Sequence, residues 1–133
     1  MYPRARASDL LVEAMPSETI VYDRLNHQVH CLNETASLIW QYSDGSRTVD
    51  DIARQLSETI NVSADADMVR FGLDELRSRN LLIEDAAVTP AISRRELHRR
   101  FAVAGGALMT LLPAITSITA PTPAMARSQA RKT

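Results

Sequence analysis

HCLNETASLIW, residues 30–40, is the stretch on which the fold turns. An apolar run ends at Leu32, and after Asn33 the apolar residues resume at a new spacing. Ala36, Ile39 and Trp40 stand at i, i+3 and i+4, one face of a helix. Asn33 is a good N-cap because its side-chain oxygen can accept from an orphaned backbone N–H, and Glu34 sits where the helix dipole favours negative charge. A strand therefore stops at Leu32 and a helix starts at once.

Upstream, Leu10, Leu11 and Val12 begin a strand, Met15-Pro16-Ser17-Glu18 is turn chemistry, and Thr19 to Tyr22 is a β-branched and aromatic return strand. Asp23 to Gln28 is a polar connection, and Val29 to Leu32 is the third strand. Residues 1–9 carry no such pattern and are expected to fray.

Downstream, the first helix spans about residues 34–42, and Gly45 supplies the left-handed conformation that its exit needs. Thr48 with Asp51 three residues on reads as a capping box; Val49, Ile52, Ala53, Leu56 and Ile60 then follow the helical period. A third helix over about 65–79 buries Val69, Gly72, Leu73 and Leu76, with Met68, Phe71 and Glu75 on a neighbouring flank. Asn80 is its left-handed terminator, and residues 81–84 form a final strand or wing. The expected fold is α+β, a three-stranded antiparallel sheet packed on a winged helix-turn-helix of three helices. The expected organisation is a domain over 10–85, a linker over 86–92 and a tail over 93–133, apolar and helical or disordered.

Composition narrows the chemistry. Cys31 is the one cysteine, which excludes an internal disulfide and a multi-thiolate metal site. His27, His30 and Cys31 resemble a metal cluster, but adjacent strand residues point to opposite faces, so His30 and Cys31 do not share an ion. The chain has no Ser/His/Asp order and no glycine-rich phosphate loop, so neither catalysis nor a cofactor is expected. The net charge of −1 hides a split. Residues 1–92 hold 15 acidic residues against 8 arginines, whereas residues 93–133 hold 7 basic residues against Glu96. The start, MYPRARASD, lacks the apolar core of an N-terminal signal peptide.

Taken together, YD at 22–23, HCLNETASLIW at 30–40, DGSRTVDDIARQL at 44–56 and LDELRSRNLLIED at 73–85 resemble the PqqD family. These are peptide-recognition proteins of pyrroloquinoline quinone and related peptide natural-product pathways. The family pattern has Gly where this chain has Asn80, and both residues tolerate the left-handed conformation. The resemblance implies binding and not catalysis. Members grip the leader of a ribosomally made precursor peptide and present it to a modifying enzyme, often a radical S-adenosylmethionine enzyme. The leader joins the sheet as a fourth strand beside the third, against the third helix. On that implication the edge is Val29, His30, Cys31 and Leu32, because an exposed edge offers unpaired N–H and C=O groups. The facing wall is assigned to Met68, Phe71, Gly72 and Glu75: Met and Phe as an adaptable apolar floor, Gly72 for close approach.

The rival use of a winged helix is DNA binding. The acidic balance of residues 1–92, with Asp65, Asp67, Asp74 and Glu75 on the helix that would read bases, argues against it. General protein interaction, without peptide modification, is the other alternative. In the tail, SRRELHR resembles a twin-arginine export motif, and it precedes about 20 residues without charge. Membrane association of an otherwise cytoplasmic chain is the preferred reading of this tail. Docking of the basic tail on the acidic domain, or mimicry of a leader so that the tail fills its own groove, is the second, and disorder or an export-like role is the third.

Overall fold

The computed structural model describes residues 3–61, 63–83 and 112–119, with isolated helical positions at 95 and 99. The elements run β1 (Leu10–Ala14), β2 (Glu18–Asp23), β3 (Gln28–Asn33), α1 (Glu34–Tyr42), α2 (Val49–Ile60), α3 (Ala66–Ser78) and β4 (Ile115–Thr119). The class is α+β as expected, but the antiparallel sheet has four strands, ordered β1-β2-β3-β4. The fourth comes from the tail, where Ile115, Thr116, Ile118 and Thr119 supply the β-branched run that a strand favours. The described part of the tail, residues 112–119, thus lies on the domain, one of the several expected placements. Most of SRRELHR and all of the apolar run 101–111 lie outside the described residues, as does the linker. Among the described residues no helix is long and apolar enough to cross a membrane.

Alternation along β2 and β3 sends Thr19, Val21, His30 and Leu32 inward beneath the helices, where all four are buried. Ile20, Tyr22 and Cys31 take the outer face, and the Cys31 thiol donates to the Glu18 carboxylate at 3.1 Å. The three helices carry their caps as the sequence requires. The Asn33 side chain accepts from Ala36 N–H, and Thr48 and Asp51 form a reciprocal capping box. Asp65 caps α3 through Met68 N–H. Their apolar faces close one core of Ile39, Trp40, Ile52, Leu56, Val69, Leu73 and Leu76, and the Trp40 indole N–H donates to Leu81 O at 2.8 Å.

Two expectations fail at the ends of this core. Residues 81–83 form no strand: Leu82 makes a single bridge with Ala5. Residues 3–9 are not loose, because Pro3 is buried, Ala5 N–H donates to Ser43 O and Ile83 N–H donates to Arg4 O. The N-terminal strap therefore takes up the backbone groups that a second wing strand would have used.

Asp23 anchors the strap. Its carboxylate, wholly buried, accepts two bonds from the Arg6 guanidinium at 2.9 and 3.1 Å and three from the backbone and side chain of the Leu25–Asn26 turn. Burial by itself raises the Asp23 pKa, but these donors outweigh it and hold the carboxyl well below the usual carboxylate range. A depressed carboxylate contributes stability that is present above its unfolded value near 4 and is lost as pH falls further. Protection factors of the Ala5 and Arg6 amides, taken relative to the intrinsic exchange rate at each pH, should therefore hold at pH 5 and fall below about pH 4. Release already at pH 5 would mean that this carboxylate does not hold the strap.

Candidate functional site

The four residues expected to form the edge all lie on β3, and the edge is covered. β4 pairs with β3 in register from Leu32 opposite Ile115 to Gln28 opposite Thr119. Asn33 N–H donates to Ala114 O at 3.0 Å, so by antiparallel alternation Cys31 and Val29 also turn their main-chain groups to β4. His30 and Leu32 direct their side chains inward.

The segment leading into β4 fills the cleft between this edge and α3. Leu112 and Ile115 are 5% and 7% exposed and belong to the core cluster, and Pro113 is buried. Pro113 packs on Gly72. A Cβ built on Gly72 would lie 3.1 Å from the Pro113 ring and 2.6 Å from Ile39 Cδ1, so the absent side chain is what admits the ring. Beyond Ile115 the strand is exposed, Ile118 to 62%.

Two residues clamp the segment's polar groups. Asn33 Oδ1 accepts from Ala114 N–H as well as from the helix cap, while Nδ2 donates to Leu112 O at 2.7 Å. Arg79, braced by an ion pair with Glu75 at 2.8 Å, donates to Ile115 O at 3.0 Å and to Ser117 Oγ at 2.9 Å. Ser117 Oγ also shares a hydrogen bond with His30 Nδ1 at 2.7 Å, the tautomer of His30 deciding which atom donates.

His30 Nε2 is buried without a hydrogen-bond partner among the described residues. Burial lowers the His30 pKa from its ordinary 6.5; the Asp23 charge opposes this, and those of Arg79 and Arg6 reinforce it. A histidine held neutral in the fold contributes stability that is full above that value and declines as pH falls below it. Imidazole NMR should accordingly give His30 a midpoint below 6.5, with β4 amide protection weakening as the ring protonates. A midpoint above 6.5 would contradict this environment.

Of the residues assigned to the wall, Gly72 meets Pro113 and Glu75 braces Arg79. Met68, wholly buried, and Phe71 lie in the core cluster. Periodicity could not separate core from flank at those two positions. Asn33 and Arg79 were not anticipated as groove residues. Asn33 carried a signal, since an N-cap amide uses its oxygen and leaves its NH2 group to donate elsewhere.

Such a site belongs to a small α+β domain whose sheet edge and neighbouring helix hold an extended peptide segment. Residues 18–82 match the model of the family described as Coenzyme PQQ synthesis protein D (PqqD). Residues 18–82 are thus a PqqD-family domain. Comparison with curated proteins and with solved structures gives no match. Proteins of this family are accessory binding proteins of PQQ-type biosynthesis and not catalysts.

Proposed function

We propose that the chain captures the leader segment of a ribosomally made precursor peptide as a strand on the β3 edge and presents it to a modifying enzyme, of the radical S-adenosylmethionine type. Residues 10–85 are the recognition unit. Residues 86–92 act as a linker and 93–133 as an appendage. The observation that carries this reading is the groove itself: its edge and its Gly72 and Arg79 wall accommodate residues 112–119, of which Ile115–Thr119 pair as a strand. Main-chain pairing supplies affinity, and the pockets beside α3 supply selectivity.

The test titrates isotope-labelled full-length protein with the leader region of a small peptide encoded beside it, with duplex DNA as control. The expected result is amide shifts at Val29–Asn33 and Gly72–Arg79, together with release of residues 112–119. Shifts elsewhere, or shifts with DNA alone, would refute it.

A further inference from the structure

β4 lies outside the family-matched residues 18–82 and returns across the stretch 84–111 to reach β3. Residues 112–114, which lead into it, and its first residue, Ile115, lie in the groove. Leu112 and Ile115 enter the core, and between them Pro113 occupies the space left by Gly72. Proline also suits this position because it brings no N–H into the cleft, and the carbonyl before it is satisfied by Asn33. Ala114 is exposed and turns only its backbone to Asn33. Two residues after Ile115, on the same face, the Ser117 hydroxyl meets both Arg79 and His30. An apolar side chain there would leave His30 Nδ1 without its partner and remove one of the acceptors of Arg79.

We propose that the groove selects peptides of the pattern apolar-Pro-x-Ile/Val-x-Ser/Thr, and that residues 112–117 are a tethered copy of that ligand which any peptide in trans must displace. This rests on the peptide-capture reading above. It specifies the ligand through residues of this chain, and it makes access to the groove competitive. Tethering raises the effective concentration of a segment enough to be worth about 10²–10⁴ in apparent affinity. A peptide of equal intrinsic fit therefore binds the intact chain weaker by a factor in that range.

The experiment measures binding of a fluorescent peptide, LLPAITSITA (residues 111–120), to the full-length protein and to a full-length double variant. Ile115→Asp places a charge in the core, and Thr116→Pro removes the N–H opposite Cys31. In a third protein, otherwise unchanged, a protease site inserted between Ala87 and Val88 severs the tether after folding, so that the test does not depend on the double variant remaining intact. The expected result is affinity about a hundredfold or more higher for the double variant, and higher on cleavage. A peptide with Asp at the positions of Pro113 and Ile115 should not bind. Equal affinity before and after untethering would overturn the competition. Equal binding of a scrambled peptide would overturn the selectivity while leaving strand capture intact. No binding of any peptide by the untethered protein, with Val29 and Cys31 amides open to exchange, would overturn peptide capture itself.

Discussion

Replacing Asp23 by alanine should destabilise the domain by about 3–5 kcal/mol in urea unfolding, the cost of removing one partner of a buried pair. The carboxylate is wholly enclosed and accepts five hydrogen bonds, so its loss strands the Arg6 guanidinium and removes the acceptor for the Leu25 and Asn26 N–H groups together. Arg6 also donates to Asn80 O, so the damage extends from the β2–β3 turn to the end of α3. Against a typical total stability of about 5–15 kcal/mol this is a large fraction. Asp23→Asn should cost less, because the amide keeps one acceptor oxygen in place while losing the charge that matches Arg6. A loss under about 1 kcal/mol for alanine would show that the strap is not held by this carboxylate.

Replacing Arg79 by alanine should leave the domain folded and detach β4. Arg79 supplies two charge-assisted hydrogen bonds to the segment, to Ile115 O and Ser117 Oγ, and such bonds contribute about 1.5–3 kcal/mol each. A loss of about 3 kcal/mol corresponds to a fall of roughly a hundredfold in the protection of Thr116 and Ile118 amides. Core amides such as Leu73 and Leu76 should exchange as before. If β4 stayed protected while the core loosened, Arg79 would be a helix-terminal residue and not a clamp. Gly72→Ala gives an independent check, since Ile39 Cδ1 is the mobile end of a side chain and can yield whereas the Pro113 ring has less freedom.

The elements that local chemistry specifies were legible in the sequence. Asn33 and Thr48 each pair a capping side chain with an apolar helical period, and the first two helices begin at those caps; the third begins one residue later than its period suggests, because Asp65 is its cap. Gly45 and Asn80 adopt positive φ as their types suggest, and so does Asn61, which ends α2. What stayed hidden depends on partners distant in sequence. No periodicity links Arg6 to Asp23, or Arg79 to Ser117, because each pair forms only once the sheet and helices have met. ITSIT did carry strand propensity, but it stands in a run whose length and lack of charge also fit an export or membrane segment. Five residues cannot say which neighbour they will pair with. Met68 and Phe71 illustrate the same limit: whether a flank faces the core or a groove is set by what covers it.

The register of β4 bears on the order in which the chain acquires its shape. Leu32 pairs with Ile115, so the loop closed by this contact exceeds every other in the sheet, and long loops are entropically the last to close. During synthesis the three capped helices and strands β1–β3 all precede residue 112 in the chain, whereas Leu112 and Ile115 complete the core last. At about 5–20 residues per second, the stretch 84–111 takes on the order of seconds to translate. Until β4 arrives the β3 edge is uncovered, so the last strand to form is also the one whose place another strand could take.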